Sequence, residues 1–249
     1  MVELLSGSAA LGVDGCRGGW LLAYQPQEAF PPQLEVAPSL ARVSAYAPAL
    51  ALIDMPIGLS ECASARECDV QLRAQRGVRS ATVFNAPVRS AIACADHPSA
   101  SAQNRSVSGK GLSIQSWNLV PRIRELDALL RSSAGLRDSA REAHPEWLFA
   151  LLALRAGLDV PLPSKREKEG RGLRLHLLQH TAPRWSTHVA ESAMRPPRGA
   201  AVDDALDSLV LVLAARAALR SGMVSLPPLA PTDAFAIPMA IVAPKCWVP

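Results

Sequence analysis

A chain of 249 residues, 49% of them apolar and 19% charged, carries enough apolar material for one sizeable core and too much for a disordered segment. Its 26 basic against 22 acidic side chains leave a net charge of +4, a slight lean towards anionic partners that does not by itself define one. The five cysteines, Cys16, Cys62, Cys68, Cys94 and Cys246, are odd in number and contain no C-x-x-C pair, which argues against a disulfide framework and against a zinc ribbon.

The first residues lack the basic start and long apolar run of a signal peptide. Apolar stretches such as Leu209–Ala215 fall far short of the ~20 residues that cross a bilayer. The expectation is a soluble, cytoplasmic protein without membrane contact.

Taken in order, Ala9–Tyr24 (AALGVDGCRGGWLLAY) reads as two strands joined by a glycine-rich reversal, with Gly15, Gly18 and Gly19 supplying the backbone freedom. Asp14 ends the first apolar run. It is either a turn residue, since Asp-Gly is a common hairpin dipeptide, or an acid presented at a strand end. Leu34–Pro38 reads as a third strand and Ser39–Tyr46 as a small helix. Ala49–Asp54 (ALALID) is a fully apolar strand ending in an acid, stopped by Pro56 and Gly58. If the strands leading to Asp14 and Asp54 are parallel neighbours, both acids fall at the edge where open α/β sheets bind ligands.

Ser60 caps a predicted helix that runs to about Arg76. Between residues 77 and 117 regular periodicity disappears, predicting either a solvated loop or a substrate-facing flap. Helical spacing returns over Asn118–Leu130. Ala140–Glu146 then reads as a strand ending in His144, Pro145 and Glu146, with a helix from Trp147 to about Ala156. The basic start of Ser164–Leu178 brings Lys165, Arg166, Lys168, Arg171 and Arg174, which line either a phosphate-binding face or an ordinary solvated one. Arg184–Gly199 reads as a loop with a short helical piece.

Ala201–Arg220 is the strongest predicted helix. Asp203 and Asp204 open it beside the positive helix end, whereas Asp207 lies one turn inside an apolar surround. Carboxylates at positions three apart are neighbours. At ~4 Å they repel by roughly 4 kcal/mol at an effective dielectric of 20, so keeping both requires a shared proton, an Arg or Lys, or a divalent cation. Phe235–Val242 reads as a closing edge strand. With no repeat and no low-complexity linker, residues 1–249 read as one domain.

The acids Asp14, Asp54 and Glu146 thus follow predicted strands, and Asp204 and Asp207 head a buried helix. Oxygen donors without cysteine suit Mg²⁺ or Mn²⁺.

The segments GVDGCRGGW (Gly12–Trp20), IDMPIGL (Ile53–Leu59), RECD (Arg66–Asp69), SATVFNAPVR (Ser80–Arg89), GKGLSIQSWNLVPRIRELD (Gly109–Asp127), REAHPE (Arg141–Glu146), SKREKEGRGLRLHLL (Ser164–Leu178) and DDALDSL (Asp203–Leu209) follow one another in order. Together they resemble the bacterial and archaeal family known as domain of unknown function 429, described as predicted nucleases with a ribonuclease H-like fold. The resemblance implies an α/β fold, a mixed five-stranded sheet sandwiched between helices, with the first three strands antiparallel and an extra C-terminal strand. Asp14 would lie on the central first strand and Asp54 at the end of the fourth. DDALDSLVLVLAA also resembles the last helix of Holliday-junction resolvases, which favours Asp204 and Asp207 as metal ligands and leaves Asp203 to the cap.

The function expected is a metal-dependent phosphodiesterase acting on nucleic acid. Asp14, Asp54, Asp204 and Asp207 would hold Mg²⁺ or Mn²⁺, with Glu146 and His144 as further catalytic candidates. Arg17, Arg79, Arg89, Lys110, Lys165, Arg171 and Arg174 would contact phosphates, and Trp117 would stack on a base or serve as a core or lid residue. Two other readings keep the fold. One is an actin-like phosphotransferase whose glycine-rich hairpin cradles phosphate, and the other a catalytically silent nucleic-acid-binding module.

Overall fold

A computed structural model describes residues 9–62 and 65–249. Seven strands form one mixed sheet: β1 (Ala10–Cys16), β2 (Gly19–Gln25), β3 (Gln33–Ala37), β4 (Leu50–Ile53), β5 (Ala140–Glu142), β6 (Met223–Leu226) and β7 (Ile241–Pro244). Their spatial order is β3-β2-β1-β4-β5-β7-β6. The β1–β2–β3 meander is antiparallel, β1, β4, β5 and β7 run parallel, and β6 returns antiparallel at the far edge.

The helices are α1 (Glu67–Arg73), α2 (Arg89–Ile92), α3 (His97–Ser108), α4 (Ile114–Ser132), α5 (Ala134–Ser139), α6 (Pro145–Arg155), α7 (Lys168–Thr181), α8 (Ser186–Met194) and α9 (Val202–Ser221). Strand alternation divides the core into two layers. Leu11, Val13, Ala51 and Ile53 pack on α4 through Val120, Ile123, Leu126 and Leu130. On the other face Ala10, Leu50 and Leu52 meet α6 and α9. Every residue of α9 from Ala205 to Ala218 is buried, which is why its sequence shows no polar face.

One glycine sets the distance between that helix and the sheet. A Cβ on Gly12 would lie 2.3 Å from the Ser208 carbonyl oxygen and 2.4 Å from the Val212 nitrogen. The bare backbone of β1 therefore lets α9 lie against the central strand. Asp14, two residues further along the same face, is carried towards the first turns of α9.

Several sequence expectations need correction. The sheet has seven strands in place of five. The segment expected to close an edge, β7, lies inside the sheet, and the edge belongs to the half-buried β6. Residues 77–117 are not structureless: they contain α2, α3 and the start of α4. In α3 only Ala100 and Asn104 are buried, so a Ser- and Ala-rich helix carries no apolar stripe. Ser60 caps no helix, since its hydroxyl accepts from the Cys62 N–H and α1 begins at Glu67. The strand expected to reach Glu146 stops at Glu142, and Glu146 lies in the first turn of α6. The short helical piece expected within Arg184–Gly199 is present as α8.

Candidate functional site

The parallel ladder between β1 and β4 pairs Val13 with Ile53, and it continues one step as the Asp54 N–H donates to the Val13 carbonyl at 2.9 Å. Asp14 and Asp54 therefore leave adjacent strands at the same level, on the α9 face. Asp207, on the second turn of α9, is 2% exposed and faces them. Lys165, in the segment before α7, sits among these acids and pairs with Asp207 Oδ2.

The electrostatics follow from crowding three carboxylates out of water. Burial first, then the charges of Asp54 and Asp207, hold Asp14 well above the usual carboxylate range, against the pull of Lys165. Burial lifts Asp54 to about 6, with Lys165 opposing and Glu146 adding to the rise. Asp207 is lifted to about 7 by burial, again opposed by Lys165, with Asp54 and Glu146 raising it further. For Lys165 burial favours the neutral amine, but Asp207, Asp54 and Asp14 outweigh it and keep the ammonium charged. The cluster thus supplies its own counter-ion, and it holds exchangeable protons near neutrality.

Besides Arg174 Nε, two buried polar atoms here have no partner among the described residues: Asp207 Oδ1 and His144 Nδ1. His144 is the residue just before α6. Its other nitrogen lies 3.4 Å from the Thr82 carbonyl, and burial holds the ring pKa below its ordinary value, so it is neutral at pH 7. Glu146 accepts from Arg174 at 2.6 Å.

Arg174 was expected at a phosphate-binding face, but it is 1% exposed and serves the interior. Besides Glu146, it donates to the Pro163 carbonyl at 2.8 Å and the Gly170 carbonyl at 2.9 Å. The chain before Lys165 is thereby clamped onto α7. Gly170 makes the clamp possible, because a Cβ there would fall 2.0 Å from the Ser164 carbonyl oxygen. Arg171 braces the same turn by donating to the Arg166 carbonyl at 3.1 Å.

Asp204 does not join the central acids in the way its spacing from Asp207 suggested. Its Oδ2 accepts from the Ala201 N–H at 2.8 Å, closing the start of α9, so the cap expected of Asp203 falls to Asp204. It is the least of the charges acting on Asp14. The glycine-rich hairpin also has little left to offer a phosphate. The Gly15 N–H donates to Asp14 Oδ1 at 2.7 Å, and the Gly18 N–H to the Gly199 carbonyl at 2.8 Å.

The remaining expected contact residues are dispersed. Arg17 is exposed on the hairpin turn. Arg79 donates to the Leu162 carbonyl at 2.9 Å. Arg89 is bound to Asp127 at 2.9 Å and to Asp233. Lys110 is exposed, and Trp117 packs half-buried against the α4-side core.

A network whose residues were quoted in motifs but given no role fixes the same rim of the sheet. Arg66 (4% exposed) donates to Asp69 and to Glu142, both at 2.7 Å, and to the carbonyls of Ile57 and Gly58, both at 3.0 Å. Glu142 also accepts from the Ile57 N–H at 2.7 Å. The acid that ends β5 is therefore Glu142, fully committed to holding the segment that follows Asp54. The R-E-C-D order was the available signal, since Arg and Asp three apart share a helix face.

As to a cation, the donors are all oxygen, and Asp207 Oδ1 is a buried acceptor without a donor, a combination that fits a hard divalent ion. Among the described residues, however, no three His, Cys, Asp or Glu side chains are gathered to hold a metal as they stand. Lys165 is the cation of the cluster, and a metal would have to take its place. Also among the described residues, no helix is long and apolar enough to cross a membrane.

The model of one protein family, described as protein of unknown function (DUF429), matches residues 12–232, a span that includes Asp14, Asp54, His144, Glu146, Lys165 and Asp207. Comparison with curated proteins and with solved structures gives no match. On the family match, which covers most of its length, the chain belongs to DUF429.

Proposed function

We propose that this protein is a divalent-metal-dependent phosphodiesterase of ribonuclease H-like fold that acts on nucleic acid. The observation that carries the reading is the meeting of Asp14, Asp54 and Asp207 at one rim of the sheet, with an unpartnered oxygen on Asp207 and an unpartnered nitrogen on His144. The strand order β3-β2-β1-β4-β5, with an antiparallel meander followed by parallel strands, supports the fold assignment, with β7 and β6 as additions beyond that set.

A bound Mg²⁺ or Mn²⁺ would supply Lewis-acid stabilisation of charge on the phosphoryl oxygens. The chain's own groups do the rest. Asp14, Asp54 and Asp207, once deprotonated, would hold the ion. Lys165, now paired with Asp207, would offer its positive charge to the phosphate. Neutral His144 offers Nδ1 to take or return a proton. Glu146 and Arg174 keep the Lys165 segment in place.

The test is cleavage of labelled DNA, RNA and hybrid strands in Mn²⁺ by the wild type, Asp14→Asn and Asp207→Asn. The wild type is expected to cut at least one substrate, and each variant to lose about 100-fold or more, as removal of a metal ligand should exceed the 10–100-fold typical of its outer partners. Equal cutting by all three proteins would identify a contaminant and defeat the proposal. One observation favours the silent-module reading instead: Lys165 already neutralises Asp207. Salt-sensitive nucleic-acid binding without turnover in any metal would support that alternative.

A further inference from the structure

A cavity of about 580 Å³ opens between α1, α3 and the segment entering α4, within the size range of small-molecule sites. One of its walls is residues 80–86, and this wall has two faces. On its far side Val83 and Phe84 share a small hollow with Asp54 and His144, and the Thr82 carbonyl lies against His144. The cavity therefore adjoins the carboxylate rim, separated from it by a single strip of chain.

Exposed polar groups line its mouth. Among the described residues the solvent-exposed Lys110 ammonium, Gln115 amide and Ser80 hydroxyl make no hydrogen bond or ion pair, and all three line the cavity. Arg73 bridges the Val83 carbonyl and Asn85 Oδ1, both at 2.8 Å, which fixes Asn85 with its amide N–H₂ left over. Phe84 is half-buried and presents an aromatic ring to the same space.

Each feature matches one part of a nucleotide. An ammonium suits a phosphate. A side-chain amide, offering donor and acceptor together, suits the edge of a base. An aromatic ring suits its face. Neither a lipid nor an acidic peptide calls for this mixture, as the lining is neither broadly apolar nor broadly cationic.

We infer that this cavity seats one nucleoside monophosphate unit of the substrate, with Lys110 on the phosphate and Gln115 on the base edge. The inference rests on the phosphodiesterase reading for its link to the acids, but its binding claim can be tested alone. Calorimetric titration of AMP, GMP, CMP and UMP into the full chain in EDTA should show binding of at least one of them. Ribose 5-phosphate should bind at least tenfold more weakly than the best nucleotide. Lys110→Ala should weaken nucleotide binding roughly tenfold, the equivalent of 1.4 kcal/mol. Gln115→Ala should change the order of preference among the four bases.

Absence of binding by all four nucleotides, equal binding of ribose 5-phosphate, or wild-type behaviour in both variants would overturn the assignment. The two readings fail separately. Nucleotide binding in EDTA by a protein that cuts nothing in any metal would retain the cavity and remove the hydrolase. Metal-dependent cutting whose KM neither variant changes would do the reverse.

Discussion

Lys165 answers a demand that the acids themselves create, though from a part of the chain whose proximity their spacing could not reveal. Carboxylates crowded at the head of α9 require compensation by a shared proton, an Arg or Lys, or a divalent cation. The compensation in the fold is an ammonium from the turn before α7 on Asp207, while Asp204 is occupied with the Ala201 N–H. Arg174 was illegible for a related reason: a long cationic side chain in a basic run looks solvent-facing unless its buried partners, here Glu146 and two carbonyls, are known.

Asp54 gives the most direct test of the crowding. Its pKa is raised from the ordinary 3.8 to about 6 in the fold, so the native state keeps a proton that the unfolded chain has released. Wild-type stability must then fall as pH climbs from about 4 to about 6, and the deficit persists above that range. Asp54→Asn removes the deficit. In urea unfolding the variant should gain on the wild type between pH 4 and pH 8 by at most about 3 kcal/mol, an upper bound for a half-buried group. A variant whose stability relative to wild type is the same at both pH values would contradict the account.

Between β1 and α9 the deciding feature is an absence of side chain. Gly12 could be seen in the sequence, but its partner surface could not, because the contact joins residues about 200 positions apart. Gly12→Ala would drive a Cβ into backbone atoms of α9 at 2.3 and 2.4 Å, which no rotamer change relieves. Overpacking of this kind costs about 3 kcal/mol or more. Denaturant unfolding should show that loss, and a change within about 0.5 kcal/mol would mean that α9 does not lie so close.

Elements with a strong apolar signal were legible: the hairpin, the ALALID strand, α6 and α9 all occur near where periodicity put them. Those missed have weak signals of their own. The four-residue β6 is half-buried throughout, and α3 buries only an alanine and an asparagine. Glu146 falls in the first turn of α6 and not at a strand end, and the mark in A-R-E-A-H-P-E of where extended chain yields to helix is Pro145, a favoured first helical residue.

Across the whole molecule, the chemistry-bearing groups collect where β1, β4 and β5 end. The Arg66–Asp69–Glu142 network ties this rim together, and the Arg174 clamp brings the Lys165 turn over it. The topology that sets β1 beside β4 could be anticipated from two apolar strands ending in acids. The convergence of α6, α9 and the turn before α7 on the same point depends on long-range packing and had no local signature. A cation bound here would compete with protons on Asp54 and Asp207 and with Lys165 for Asp207.

Titration of Mn²⁺ into metal-free protein, followed by calorimetry at pH 5.5 and pH 8, therefore tests the central claim most directly. A saturable site is expected, tighter at pH 8 than at pH 5.5 and lost in both Asp14→Asn and Asp207→Asn. No saturable binding at either pH, or binding that both variants leave unchanged, would contradict it.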